Sequence, residues 1–192
     1  MIVYDIDAAR TELVVLVRAE GFASALAHDH VVRATRFNGR MESRDGSPET
    51  ASVVITVEAG SLRTDEPAMR RKHHLTGDLD EDSRRKTQAN MEDRGQLDVA
   101  RFSRIIFEST RIEAATPGSF RVTGNFTLHG VTKRIECRVA AEEHDDELRV
   151  RGSFTIRQRD FGITPYSALL GAIRNRDEAT IELDAVAVRA AQ

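Results

Sequence analysis

The chain has 192 residues, 40% of them hydrophobic and 31% charged, with a formal net charge of -3. That length suits one domain, and charge of both signs excludes a global attraction to nucleic acid or to an anionic membrane. A lone cysteine, Cys137, excludes an internal disulfide, so the chain declares no oxidising compartment.

The opening residues, Met1 to Asp7, contain no basic n-region, apolar h-region or cleavage site, and the apolar run Leu13 to Val17 is far too short to span a bilayer. The expectation is a cytoplasmic chain without a transmembrane segment. Residues 2–6 and 11–19 read as strands around an Asp7–Arg10 turn, the second offering Val15 and Val17 to one face. Residues 30–42 read as one long strand that includes Phe37, with Gly39 as a bend or bulge. The cluster Asp45-Gly46-Ser47-Pro48 reads as a turn. Residues 50–58 then alternate, with Ala51, Val53, Ile55 and Val57 on one side.

Residues 63–98 break this pattern. They are charged, and Asp80-Glu81-Asp82-Ser83 precedes a helix-like run to Arg94, where Gly95 fits the stop. Thr87 and Met91 share a face of that helix, which reads as a solvated surface element or as a lid over one end of a barrel. Residues 104–113, with Phe107, give another strand, and Pro117-Gly118 turns the chain into a meander.

The meander carries the clearest periodicity. Phe120, Val122, Gly124, Phe126 and Leu128 face one way; Val131, Lys133, Ile135, Cys137 and Val139 follow; then Leu148, Val150, Gly152, Phe154 and Ile156. The intervening residues are mostly Arg, Thr, Ser and Glu. A period of two gives strands with one dry and one wet face, and connections this short force antiparallel neighbours. Residues 179–189 form the last strand, with Ile181, Leu183, Ala185 and Ala187 inward. Eight or nine strands with one dry face must close into a barrel or split into a sandwich. The chain has no tryptophan, and glycines at 124 and 152 lie in the dry rows, so a barrel's interior is either filled or holds one small ligand, since glycines in strands also serve bends and bulges. Cys137 falls in a dry row and reads as a small core hydrophobe.

Several segments, in order, are similar to the YceI-like, polyisoprenoid-binding, lipocalin-like family. They are Tyr4-x-Ile6-Asp7 with Thr11; Gly21 and the later His28-Asp29-His30; Ser61-Leu62-Arg63-Thr64; Leu97-Asp98-Val99-Ala100-Arg101-Phe102 with Ile105 and Phe107; Gly124 to Lys133; Arg159-Asp160-Phe161-Gly162-Ile163; and Arg176-Asp177-Glu178-Ala179. The Gly124 to Lys133 segment is the most specific. The resemblance implies an all-β, lipocalin-like antiparallel barrel of about eight strands over residues 1–192, with one or two short helices in 63–98. It also implies an apolar tunnel that holds an isoprenoid lipid, a polyprenyl phosphate or a quinone tail. Members of the family are often periplasmic, and many have a proline where this chain has Ser103.

Polar groups at the ends of such a tunnel are candidates for a head group. His28 and His30 stand two apart, so on a strand they share a side, and Asp29 points away. They could contact a head group or backbone, or share a metal if a third ligand came from His129, His73, His74 or His144. His73 and His74 read as exposed. Arg159-Asp160 reads as a local ion pair or as a phosphate contact at the tunnel mouth. The loop Ile163 to Asn175 is apolar enough to pack over the barrel, with Tyr166 as a polar handle for a quinone ring and Leu169 beside it. No phosphate loop, Gly-x-Ser-x-Gly or His-Glu-x-x-His is present. The expectation is a non-enzymatic carrier of a hydrophobic small molecule or lipid, with no cofactor beyond that ligand and no nucleic-acid partner. An open sheet edge leaves room for a homodimer. The alternatives are a metal- or redox-dependent enzyme centred on His28 and His30, and an interaction module built on residues 63–98.

Overall fold

The computed structural model describes residues 1–21, 28–168, 170 and 172–190. The chain closes an antiparallel barrel of eight staves, with two short helices. Three staves are interrupted: β1 (Ile2–Ile6) with β2 (Glu12–Glu20), β3 (His30–Ala34) with β4 (Phe37–Ser43), and β5 (Ser52–Glu58) with β6 (Leu62–Thr64). Helices α1 (Pro67–Lys72) and α2 (Glu81–Glu92) follow. The remaining staves are β7 (Arg104–Thr116), β8 (Ser119–Leu128), β9 (Val131–His144), β10 (Glu147–Arg157) and, after the two-residue β11 (Ser167–Ala168), β12 (Ile173–Arg189). Consecutive staves are neighbours throughout. The ring shuts because β12 pairs with β10 on one side and with both β2 and β1 on the other. Closure removes the open edge that an eight-strand sheet would otherwise present.

The expected strand over residues 30–42 is two strands. Its halves pair with different neighbours, β3 with β2 and β6, and β4 with β1 and β5. The corner lies at Thr35–Arg36. There the fully buried Ser61 accepts both the Thr35 N–H and its hydroxyl through its carbonyl, at 3.3 and 2.7 Å. Its own hydroxyl bonds the Arg36 N–H and carbonyl. Gly39 is not the bend; a Cβ there would lie 2.4 Å from Ile6 Cδ1, so the glycine makes room for a neighbour. The same correction applies in the meander. At Gly124 a Cβ would meet the Phe107 ring at 2.5 Å and the Glu108 carbonyl oxygen at 2.6 Å, and at Gly152 it would meet Val139 Cγ1 at 2.7 Å. Neighbouring groups fill the space these two glycines leave.

The hairpins follow their turn chemistry. His129 and Gly130 both take positive φ, 51° and 73°, as a two-residue turn between right-twisted strands requires. The loop expected over 163–175 is partly strand: β12 begins at Ile173 and pairs with β11, and Arg174 and Asn175 pair with Glu20 and Ala19 of β2. The expected helix ends at Glu92 rather than Arg94. Lys133, in a dry row by sequence, is exposed.

Two seams lie toward the α2 end of the wall. β6 pairs with β3 alone, and its free edge is taken by α2. The Gln88 side chain accepts the Thr64 N–H at 3.0 Å and donates to the Leu62 carbonyl at 2.8 Å, the two bonds that a neighbouring strand would make. The second seam is a fork. The β9–β10 ladder runs from His144–Glu147 to Arg138–Ser153 and stops, although both strands continue. The 310 turn Gln158–Phe161 touches both strands there. Its Phe161, 1% exposed, stacks edge-on against Phe126, which stacks in turn on Phe154. No helix among the described residues is long and apolar enough to cross a membrane.

Candidate functional site

The inward rows do not fill the barrel. They enclose a chamber of about 730 Å³, within the roughly 300–1,000 Å³ typical of small-molecule sites. Its waist is apolar, formed by alternate residues of nearly every stave: Val15 and Val17 of β2, Val53 and Ile55 of β5, Phe107 of β7, Phe120, Val122 and Phe126 of β8, Val139 of β9, and Val150 and Phe154 of β10. Cys137 also faces the chamber, and burial pushes its thiol pKa up, with a further push from Glu136.

The two ends differ. At one, Tyr4 and Glu143 line the chamber. The Tyr4 hydroxyl bonds Glu143, and Arg189 donates to that hydroxyl at 3.0 Å and to Glu143 at 2.9 Å while its guanidinium lies over the ring. Burial, reinforced by Glu143, raises the Tyr4 pKa. At the other end α2 forms part of the wall, through Ser83, Lys86, Thr87, Asn90 and Met91. Gln96, Gln158, Tyr166 and Asn175 complete a polar rim, and Asn175 donates its N–H to the Tyr166 carbonyl. The helix is thus a wall of the chamber, with the face that Thr87 and Met91 share turned inward.

His30 stands at this end, at the start of β3 and level with Val17. Its Nδ1 lies 2.6 Å from Oδ2 of Asp65, which has no exposed surface. Asp65 Oδ1 accepts the Val31 N–H at 3.2 Å and the Arg70 guanidinium at 2.8 Å. Burial pushes the Asp65 carboxyl up, but the hydrogen bond from His30, with that ring's charge whenever it is protonated, and the hydrogen bonds from Arg70 and the Val31 N–H outweigh it and hold the pKa below the usual carboxylate range. Arg70, 5% exposed, also donates to the carbonyls of Asp29, Thr76 and Gly77. The network fixes His30 from behind. Asp29 points away, to Arg18 and the Ala19 N–H, as the strand alternation requires.

Of the residues expected at the site, most line the chamber, including His30 and Tyr166. Five described ones do not. His28 lies against Gly77 instead. Phe37 shares the inward face with its partner Val57 and packs against the cluster of Val32, Ala34, Val57 and Leu62, but it is not among the residues that line the chamber. Ile135 and Phe161 belong to the packed cluster at the fork and are not among the residues that line the chamber. Arg159 is exposed; its N–H donates to Asp177, and it makes no ion pair with Asp160 among the described residues. Leu169 lies outside the described residues. Among the described residues no three His, Cys, Asp or Glu side chains converge as metal ligands. His129 donates from Nδ1 to the Phe161 carbonyl and stacks on Phe102. His73, expected to be exposed, is largely covered and sits 3.3 Å from Glu12. The sequence reading missed Lys86, Asn90, Gln96, Gln158, Asn175 and the Asp65–Arg70 support. Position on an inward helix face flags the first two only once the barrel is known.

An eight-stave antiparallel barrel around a dry chamber, polar at both ends, is a hollow lipocalin-like barrel. The profile of the YceI-like domain matches residues 4–187, and the chain belongs to that family. A UPF0312 protein of Shewanella sp. strain ANA-3 is 31% identical over 147 residues, covering 73% of this chain and 68% of that protein. A UPF0312 protein of Pseudomonas aeruginosa is 28% identical over 137 residues, with coverages of 68% and 62%. In fold the chain is similar to BcnA of Burkholderia cenocepacia, with a TM-score of 0.71 and 14% identity over 94% of this chain and 98% of that one. It is also similar to the Campylobacter jejuni YceI protein, at a TM-score of 0.58 and 12% identity over 84% and 85%.

Proposed function

We propose that this protein carries or sequesters one long apolar ligand, an isoprenoid lipid, polyprenyl phosphate or quinone, with the tail in the chamber and the head group at the His30 end. The observation that carries this reading is the chamber of about 730 Å³ with an apolar waist and a polar rim at α2. A tail that offers no hydrogen bonds strands no polar group in such a waist, and its burial contributes roughly 25 cal/mol per Å². The test is mass spectrometry of an organic extract of the purified protein beside its native mass. A stoichiometric lipid, or uptake of an added prenyl tail with one-to-one stoichiometry, supports the reading. A protein that extracts empty and takes up no apolar probe overturns it.

A further inference from the structure

We infer that the head-group end of the chamber selects a ligand bearing a neutral O–H donor, an alcohol or hydroquinone type, with His30 Nε2 as the acceptor. This rests on the carrier reading above and specifies the chemistry of its polar end. A carboxylate can only accept, and Asp65 is kept ionised by Arg70, so the proton on the 2.6 Å contact belongs to His30 Nδ1. In the neutral ring that leaves Nε2 as a bare lone pair. His30 lines the chamber while Asp65 lies outside it, so the opposite edge of the imidazole is the one turned inward. Nε2 has no protein hydrogen bond among the described residues. The negative charge behind the ring is already matched by Arg70. Asp29, the other carboxylate near His30, is engaged by Arg18 and the Ala19 N–H.

Asp65 divides its duties between its two oxygens, and that division makes the inference testable. Oδ1 takes Val31 and Arg70, and Oδ2 takes His30 alone. In Asp65→Asn the remaining oxygen keeps the first two partners and the amide NH₂ faces the imidazole. The ring then accepts at Nδ1 and carries its proton at Nε2, which becomes a donor.

The experiment compares three probes with one tail: geranylgeraniol, its methyl ether and geranylgeranyl phosphate. Each is titrated against the wild-type chain, His30→Phe and Asp65→Asn, with ¹⁵N NMR of the imidazole on the ligand-free proteins. In the wild type the alcohol should bind about tenfold tighter than the ether, the ratio one ordinary hydrogen bond supports. The NMR should place the proton on Nδ1. His30→Phe should abolish the preference and leave ether affinity within about twofold, because the tail contacts remain. Asp65→Asn should move the proton to Nε2 and remove the preference, because the oxygens of the alcohol and the ether accept from Nε2–H alike. Equal binding of alcohol and ether by the wild type, or a wild-type proton on Nε2, overturns the inference and leaves the carrier reading intact. Tightest binding of the phosphate, lost in Lys86→Ala, overturns it in favour of an anion site on α2. If none of the three tails enters the chamber, the carrier reading falls and takes this inference with it. Should Asp65→Asn fail to fold, His30→Phe and the wild-type spectrum still decide.

Discussion

Asp65 adopts a positive φ of 52° with no exposed surface, a conformation Asp tolerates better than most residues, and it places both carboxylate oxygens in the His30–Arg70 network. Because the folded state holds its pKa below the ordinary value, its stabilisation is complete above about pH 4 and is lost as pH falls from there. Asp65→Asn should therefore cost roughly 1–3 kcal/mol at neutral pH and lessen the fall in stability toward acid, as urea unfolding across that range would register. Gly124→Ala meets a backbone carbonyl that cannot swing away, and should cost about 1–3 kcal/mol by the same assay. The spacing offered His30 only as one of a pair with His28, and of the two only His30 lines the chamber. Asp65 was not legible, since it follows a three-residue strand in a segment with no periodicity, and its partners come from β3 and α1.

At the scale of elements, α2 does the work of a missing strand. Gln88 replaces the backbone of a neighbour to β6 at two bonds, and the cap Asp80, whose Oδ1 accepts the Ser83 N–H, fixes where the helix starts. Gln88→Ala should speed hydrogen exchange at the Thr64 amide by at least roughly tenfold, a change mass spectrometry would resolve, while amides of β8 stay protected. Unchanged exchange at Thr64 would mean that the helix body, not this side chain, shields the edge. The helix itself was readable from its acidic start. Its role was harder to read, because its inward face is Ser83, Thr87 and Asn90 with Met91 as the apolar residue. The corner at Thr35–Arg36 was also missed, although the inward rows change phase across it, from Val32 and Ala34 to Met41 and Ser43; Ser61, which enforces it, lies far along the chain.

At the scale of the molecule, the antiparallel meander was legible from a period of two with short turns, while the choice of barrel over sandwich came from the family resemblance alone. The chamber was less so, since alternation marks which residues face inward and not how much space they leave. Val139→Trp or Val150→Trp would put bulk into the waist. Either should lower affinity for a prenyl tail by at least tenfold while far-UV circular dichroism stays that of a β-barrel. Within a series of prenyl alcohols, affinity should rise by at least tenfold per isoprene unit, each buried methylene being worth about 0.8 kcal/mol, and level off when the chamber is full. A series without a plateau would place part of the tail outside the barrel.

The fork between β9 and β10 gives the tube unequal ends. Around Tyr4 backbone ladders join the staves except β5 and β7, where the Val53 N–H donates to the Ser109 hydroxyl instead, so that hoop widens chiefly by breaking backbone hydrogen bonds. At the other end two junctions lack a backbone ladder: past Ser153, β9 and β10 are bridged by aromatic packing, and β6 is met by the Gln88 side chain. The sleeve is stiff at its base and elastic at its collar. Its traffic should therefore run through one door, the tail arriving last at the base and leaving it first.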